Sequence, residues 1–297
     1  MAVVRALDEG PTSLVELRRE AGSPPQTTMR GHLRSLVDAG IAERSRGDDS
    51  PAPAGYELTA AGIALLTVAR ALAAWLARSP QGSMQLGSAE AKNAIKALVD
   101  GWSANLARTL AARPLSLTGL NAAIVAVSYP SLERRLMAMR LRGLVQATQG
   151  ESRSTPYVVT DWLREAVGPL AAAAGWEQRH QPGSAAPIGG RDAEAALLLT
   201  MPLLRLPEDV SGTCRLAVEV GDGQVDHGLG VIVEARNGAV VSRAADLEGS
   251  ATAWARGSPR AWLAAMTASN AGSLELGGEP GLAAALVEAI HEVSSSP

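Results

Sequence analysis

Apolar residues recur at helical spacing twice near the start of the chain, and a short break separates the two runs. Residues 13–20 carry leucines at this spacing, and residues 26–38 place Met29 and Leu33 on one face. The Gly-Ser-Pro-Pro sequence between the runs predicts the end of the first helix, with Ser23 as the N-cap of the second. Two helices joined by so short a break are typical of a helix-turn-helix motif.

Two short strands and a long helix are predicted to follow this motif. Gly40 is placed to end the second helix in the left-handed conformation that glycine adopts easily. Residues 41–44 and 56–58 have the composition of short strands on either side of a polar loop, and Thr59 precedes an apolar helix over residues 60–77. This order of elements indicates a winged helix-turn-helix domain.

Residues 103–182 repeat the pattern of residues 1–80. Six residues recur 103 positions later, namely Pro11, Ser13, Leu14, Leu17, Leu33 and Gly40, and after a two-residue gap Tyr56, Thr59 and Trp75 recur 101 positions later. A register kept over this distance indicates an internal duplication. The second copy is then predicted to have a helix at 130–141, strands at 144–148 and 157–159, and a wing tip at 149–155.

The last third of the chain follows another pattern. Residues 192–204 have helical apolar spacing, whereas residues 214–220 alternate between apolar and other side chains, as a strand does. The Asn237-Gly238 pair predicts a tight hairpin turn. Residues 258–267 and a stretch from Pro280 are predicted helices, and further strands are predicted at 229–234, 239–243, 250–256 and 272–276.

Two stretches rich in Pro, Gly and Ser, at 79–88 and 181–190, predict linkers. They divide the chain into a first segment (1–80), a second segment (89–180) and a third segment (191–297). The predicted fold class is α+β, with two tandem winged helix-turn-helix domains followed by an antiparallel sheet with helices.

Charge and composition narrow the possible functions. The 297-residue chain has a net charge of −3, but residues 81–182 carry +4 and residues 183–297 carry −7, so the middle of the chain is best suited to a polyanion. A single cysteine excludes an intramolecular disulfide and a cysteine-rich metal site. No apolar run reaches the roughly 20 residues that span a bilayer. We therefore expect a cytoplasmic protein without a membrane partner, and the arginine-rich, alanine-rich composition suggests a bacterial source.

The first two segments closely resemble the HxlR family of bacterial winged-helix transcription regulators. The motifs that carry the resemblance are Glu16-Leu17-Arg18-Arg19, Leu33-Arg34-Ser35-Leu36, Ala39-Gly40-Ile41, Tyr56 and Leu58-Thr59, with Asp100-Gly101-Trp102-Ser103 and Leu132-Glu133-Arg134-Arg135-Leu136 in the second copy. Family members pair as homodimers on double-stranded DNA. The resemblance implies a built-in pseudo-dimer on a pseudo-palindromic operator, and it leaves open a homodimer of the whole chain.

In a helix-turn-helix motif the second helix contacts base edges in the major groove. The solvent-facing residues predicted for this role are Gln26, Thr27, Thr28, Arg30 and Arg34 in the first copy, and Tyr129, Ser131 and Arg134 in the second. Glutamine recognises adenine and arginine recognises guanine by paired hydrogen bonds. Arg44, Arg46 and Arg153 in the wings are predicted to contact phosphates. Two acidic residues, Asp48 and Asp49, stand against this in the first wing.

The third segment resembles the sterol-carrier-protein family in its order of elements. The stretches that carry the resemblance are Ala251-Thr252-Ala253-Trp254, Ala261-Trp262-Leu263 and Gly272-Ser273-Leu274-Glu275-Leu276-Gly277-Gly278. Members of that family hold apolar ligands between the sheet and the helices. The resemblance implies a binding site for a small hydrophobic ligand, with candidate lining residues Met201, Leu204, Trp254, Trp262 and Met266. For each of these residues, simple core packing is the alternative.

These patterns predict a ligand-responsive transcriptional regulator that is not an enzyme and needs no cofactor. The sequence contains none of the common hydrolase, phosphate-loop or dinucleotide motifs, and Asp226-His227 falls in a predicted loop. One alternative is a protein that sequesters a hydrophobic metabolite or drug, with degenerate winged helices as its scaffold. A third interpretation is an enzyme with a pocket between the winged helices.

Overall fold

The computed structural model describes residues 2–10, 12–45, 55–103, 105–148, 155–183, 187–219, 225–244, 250–268 and 273–295. The chain forms two compact units: unit 1 is Met1–Ala73 with Trp176–Ala185, and unit 2 is Ala74–Gly175 with Ala186–Pro297. The fold is α+β, with helices and small sheets. This division does not follow the three sequence segments, which remain a prediction about domains.

Unit 1 contains the helix-turn-helix order predicted for the first segment. Its elements are α1 (Ala2–Asp8), α2 (Leu14–Glu20), α3 (Gln26–Asp38), β1 (Ala42–Ser45), β2 (Gly55–Leu58) and the first part of α4 (Ala60–Ala77). The two strands pair antiparallel, and Thr12 adds an antiparallel bridge to Tyr56. The core between the helices and strands is built on Leu17, Met29 and Leu33, which are fully buried.

The starts of α2 and α3 differ in how they are capped. The Ser13 hydroxyl accepts from the Glu16 amide, while the Glu16 carboxylate accepts from Ser13, and these bonds lower the pKa of Glu16. The predicted role of Ser23 as N-cap of α3 is wrong. Ser23 has a φ of 59°, and its amide donates to the Arg18 carbonyl at the end of α2. Pro25 is the N-cap of α3 and makes no side-chain bond.

The end of α3 agrees with its prediction. Gly40 has a φ of +66°, and its amide donates to the Val37 carbonyl at 2.9 Å. The Ile41 amide donates to the Leu36 carbonyl at 2.8 Å, which completes a Schellman motif. The Thr59 hydroxyl then donates to the Gly40 carbonyl at 2.5 Å and also caps α4, so one residue joins the helix end to the next helix.

Unit 2 begins with the end of α4 and continues with the helices and strands of the second segment. These are α5 (Ala89–Ser103), α6 (Leu106–Ala112), α7 (Leu117–Ala123), α8 (Tyr129–Leu141), β3 (Val145–Ala147), β4 (Tyr157–Val159), α9 (Asp161–Glu165) and the first part of α10 (Val167–His180). Thr160 repeats the bonds of Thr59, since its hydroxyl donates to Gly143 at 2.7 Å. Leu115 bridges to Tyr157 as an added short strand, which repeats the arrangement in unit 1.

The third segment also lies in unit 2. Its elements are α11 (Gly190–Thr200), a 3-10 turn (Met201–Leu203), β5 (Gly212–Glu219), β6 (Val225–Arg236), β7 (Ala239–Ala244), β8 (Ala253–Gly257), α12 (Pro259–Thr267), β9 (Glu275–Gly278) and α13 (Pro280–Ser295). The five strands form one sheet in the order β7-β6-β5-β8-β9. Ser258 caps α12 by accepting from the Ala261 amide, at the start of the helix predicted over residues 258–267.

The prediction of an antiparallel sheet is wrong for one strand pair. Three pairs of neighbours are antiparallel, but β5 and β8 run parallel, with Cys214 opposite Ala253 and Val218 opposite Gly257. A tight turn forces two strands to be antiparallel. This rule does not fix the direction of β8, because β7 and β8 are not neighbours in the sheet and the chain crosses to the far side of β5 between them. The direction of β8 therefore depends on the crossover.

The hairpin between β6 and β7 is confirmed. Asn237 and Gly238 have φ values of 50° and 76°, and Arg236 pairs with Ala239 across the turn. Positive φ at both central residues is typical of the two-residue turn that matches the twist of a β-ribbon. This local signal was sufficient to predict where β6 ends.

Helix α11 is buried on all sides from residue 193 to its end, within unit 2. Residues 193–200 are all buried, and the helix packs against α6 and α9 as well as β5 and β6. A helix of this kind belongs to a core and has no solvent-facing side. Its Glu194 forms an ion pair with Arg108 of α6, and the Trp102 indole donates to Asp192 at 3.0 Å. The second and third segments therefore share one core.

Candidate nucleic-acid interface

Helix α3 presents a polar face over a buried one. Met29 and Leu33 are fully buried, whereas the predicted contact residues all lie exposed, namely Gln26, Thr27, Thr28, Arg30 and Arg34. Gln26, Arg30 and Arg34 are spaced four residues apart, so they follow one stripe along the helix. The buried face holds the helix on the core of unit 1, and the polar stripe is free to contact a ligand in solvent.

Helix α8 has the same division but different chemistry. Leu132, Leu136 and Met139 are fully buried, and Tyr129 and Arg134 are exposed. Ser131 was predicted to face solvent, but it is half-buried beside the fully buried Leu132. The exposed Glu133 lies beside Arg134, so α8 offers both charges. Sequence reasoning missed Val125, which is 91% exposed in the turn before α8.

The N-termini of these two helices lack side-chain caps. Ser13 and Ser116 cap the preceding helices α2 and α7 through hydroxyl groups that accept amide hydrogen bonds. Pro25 and Ser128, the N-caps of α3 and α8, make no such bond. The first amides of a helix carry a partial positive charge and bind phosphate well when no side chain occupies them. The start of each helix is therefore suited to a DNA backbone.

Of the three wing arginines predicted to contact phosphates, only Arg44 lies among the described residues. Arg44 is exposed on β1 and lies opposite Tyr56 on β2. Arg46 and Arg153, the other two arginines predicted to contact phosphates, lie outside the described residues. The acidic pair in the first wing tip also lies outside them. The phosphate role of the wings thus remains a prediction.

Two glutamines that sequence reasoning missed contact the far ends of these helices. In unit 1 the Gln181 amide group donates to the Ala39 carbonyl after α3, at 2.6 Å. In unit 2 the Gln81 amide group donates to the Leu141 carbonyl at the end of α8, also at 2.6 Å. The signal available in the sequence was the position of each glutamine just after the last helix of its segment.

The residues predicted to line a hydrophobic ligand site do not all lie together. Met201, Leu204, Trp262 and Met266 are buried, and the Trp262 indole donates to the Ala217 carbonyl at 2.9 Å. These four side chains form part of the core of unit 2.

Trp254 is separated from them by the sheet. Ala253 and Ala255, its neighbours on β8, are fully buried, and successive side chains of a strand point to opposite faces. Trp254 is half-buried on the other face, where the Arg256 guanidinium lies 5.0 Å from its ring centre. The prediction that Trp254 joins the same lining is therefore wrong.

Other candidate chemistry is weak in the described part of the chain. Cys214 is buried, which raises the pKa of its thiol to about 12 and leaves the thiol unreactive near neutral pH. Asp226 and His227 lie in β6, so their predicted position in a loop is wrong. Within the described ranges, no group of three or more His, Cys, Asp and Glu side chains is placed to hold a metal ion.

Helix α4 is long and apolar enough to cross a membrane by length and composition alone. This is weak evidence, because core helices of soluble proteins pass the same test. Trp75 and Leu76 near its end are fully buried, but only 28% of the helix as a whole is buried in protein.

Comparison with known families identifies one part of the chain. Residues 1–45 match the family described as a helix-turn-helix domain, and this range holds α1, α2, α3 and β1. No curated protein matches the chain. The chain thus has a helix-turn-helix DNA-binding domain at its start and is, in general terms, a DNA-binding transcription regulator.

Proposed function

We propose that the chain is a ligand-responsive regulator in which both winged segments bind a pseudo-palindromic operator and the third segment binds a small hydrophobic effector. The observation that carries this proposal is the likeness of α3 and α8. Each follows a serine-capped helix, has no side-chain cap of its own, and exposes arginine above a buried apolar face. The family match covers the first of these helices, and the likeness extends its role to the second.

An internal duplication related to the HxlR family is supported by two hydrogen bonds. In unit 2 the Trp75 indole donates to the Trp162 carbonyl at 2.8 Å. In unit 1 the Trp176 indole donates to the Ala61 carbonyl at 2.8 Å. Both donors and both acceptors are 101 positions apart, which is the offset that aligns the two segments. We infer that the chain is a pseudo-dimer made from two copies of a bacterial winged-helix domain.

The effector part of the proposal depends on α11. This helix belongs to the third segment, but it packs against α6 and α9 of the second. A ligand bound between the sheet and the helices would press on α11, and α11 is joined to α6 by the Arg108–Glu194 ion pair. Coupling of this kind changes affinity by about 5- to 150-fold. The sterol-carrier resemblance and the buried apolar residues around Trp262 favour a hydrophobic ligand.

Selection from a pool of random duplex DNA at two salt concentrations tests the DNA part. We expect an imperfect inverted repeat whose binding weakens steeply with salt. Arg30→Ala and Arg134→Ala should each relax the sequence preference at one half-site, by about 1 to 3 kcal/mol per lost guanine contact. Arg260→Ala is the matched control, because Arg260 is exposed on α12. If the wild-type chain enriches no sequence, this function is wrong.

The effector is tested with palmitate and cholesterol as probes, each scored by displacement of a fluorescent fatty acid. We expect at least one of them to bind and to change affinity for the selected DNA. Saturating binding with unchanged DNA affinity would refute ligand control.

A sequestration protein is the second candidate, and the charge distribution favours it. Residues 1–80 carry no net charge and residues 183–297 carry −7, which does not attract DNA. This candidate predicts a tightly bound apolar ligand and no selected DNA sequence, so the same two experiments separate it from the regulator. In either case we propose a cytoplasmic protein that catalyses no reaction and needs no cofactor.

A further inference from the structure

Gln81 and Gln181 lie in the connections that follow the first and the second segment, 100 positions apart and so one residue short of the offset of 101 that aligns the two copies here. Gln81 follows the last helix of the first segment, and Gln181 follows the last helix of the second. Each donates its side-chain amide to a main-chain carbonyl at 2.6 Å. The accepting carbonyls belong to Leu141, the last residue of α8, and Ala39, the C-cap of α3.

A side-chain donor that binds either of these carbonyls can restrain the end of the helix. The last four carbonyls of a helix have no partner within the helix, so a side-chain donor there restrains the helix end. The connection after α4 also lies close to the end of α8: a Cβ atom on Gly143 would lie 2.7 Å from Pro80 Cγ. Glycine at this position permits the approach that places Gln81 against Leu141.

We call these two glutamine hydrogen bonds clamps, and each clamp restrains a helix of the segment that its glutamine does not follow. Gln81 lies in the connection that follows the first segment and binds the end of α8, the DNA-facing helix of the second segment, and both lie in unit 2. Gln181 lies in the connection that follows the second segment and binds the end of α3 in the first segment, and both lie in unit 1. The indoles of Trp75 and Trp176 also bond across the segments, each within the unit that its glutamine joins.

We infer that Gln81 and Gln181 are positioning residues for DNA recognition. Each restrains the DNA-facing helix of the segment that it does not follow in the chain. This inference rests on the proposed function. Base recognition needs side chains held to within about 0.5 Å, and a helix restrained at its far end keeps its N-terminal residues in place. The loss of one clamp should therefore weaken base recognition at the half-site of the segment whose helix the clamp restrains.

The test starts by assigning the half-sites. Selection from random duplex DNA with Arg134→Ala identifies the base positions that α8 contacts, and selection with Arg30→Ala identifies those that α3 contacts. Gln81→Ala should then relax the Arg134 positions, and Gln181→Ala the Arg30 positions, each by about fivefold, since a single hydrogen bond contributes about 1 kcal/mol.

Matched variants exclude a general effect of charge or of the connection. Gln81→Glu keeps the size of the side chain but removes the donor, so it should behave like Gln81→Ala. Gln85→Ala and Gln85→Glu change an exposed glutamine in the same connection and should leave both half-sites unchanged. The inference is overturned if a glutamine variant relaxes the half-site of the segment that the glutamine follows. It is also overturned if the variant relaxes both half-sites equally or relaxes neither.

Hydrogen exchange without DNA separates this inference from the proposed function. Gln81→Ala should speed amide exchange at the end of α8 and leave the end of α3 unchanged, with the reverse for Gln181→Ala. If the wild-type chain selects no DNA, the proposed function fails and so does the positioning role, while crossed exchange would still establish the clamps. Exchange that is unchanged or not crossed shows that the clamps do not restrain these helices.

Discussion

Trp75 and Trp162 stack face to face and donate a hydrogen bond to each other's main chain. Their ring centres are 4.4 Å apart, their planes differ by 6°, and each indole donates to the other residue's carbonyl at 2.8 Å. The internal repeat aligns Trp75 with Trp176, but it does not indicate Trp162 as a partner. The pair joins the end of α4 to the start of α9 within unit 2.

Trp75→Ala should destabilise unit 2 by about 3 to 5 kcal/mol, because it leaves a cavity and an unpaired Trp162 carbonyl. Urea unfolding followed by fluorescence measures the effect on each transition. Trp254→Ala is the matched control, since Trp254 is only half-buried on the outer face of the sheet. Equal losses from the two changes would contradict the importance of the stacked pair.

Removal of one partner of the buried Arg108–Glu194 ion pair should lower the free energy of unfolding more than removal of both partners. Glu194 is fully buried and Arg108 is 27% exposed, so Arg108→Ala leaves a carboxylate without a counter-charge in the core. We expect a loss of about 3 kcal/mol for this change. The double variant Arg108→Met with Glu194→Met should regain most of it. A double variant less stable than Arg108→Ala would show that the pair has a role beyond its charges.

Two glycines in the left-handed region give a controlled test of the connection after α4. Gly22 has a φ of +80° with open space around it, whereas Gly143 has a φ of +76° and faces Pro80. Alanine costs roughly 1 to 2 kcal/mol at either position from backbone strain. Gly143→Ala should cost more, and Pro80→Ala in the same chain should recover the difference. Thermal unfolding of the four proteins measures this, and equal losses would mean that Pro80 moves freely.

The Cys214 thiol should be unreactive until the chain unfolds. Burial raises the pKa of the thiol to about 12, so almost no thiolate forms at pH 8. In the unfolded chain the thiol regains its ordinary pKa of 9.0, so the stability that depends on this group is intact below pH 9 and is lost as pH rises toward 12. Titration with a thiol-specific disulfide reagent, with and without urea, checks this. Rapid labelling of the folded chain would contradict the burial.

Much of the local structure and the face of α3 follow from neighbouring residues alone. Met29 and Leu33 lie four residues apart, and this spacing determines which side of α3 is buried and which side carries Arg30. Gly40 and the Asn237-Gly238 turn end their elements through backbone conformations that few other residues adopt. Such signals act within a few residues, so the sequence determines them directly.

The remaining features depend on residues that are far apart in the chain. The alternation along β8 shows that Trp254 shares a face with Arg256, but which face of the sheet packs into the core depends on long-range packing. Nothing near Gln81 indicates that it reaches Leu141, sixty residues away. By itself the sequence determined helices α2 and α3, the turns at Gly40 and Asn237-Gly238, and the polar stripe of α3. The tertiary structure decided the direction of β8, the burial of α11 and the crossed clamps, because these rest on long-range packing that no local pattern encodes.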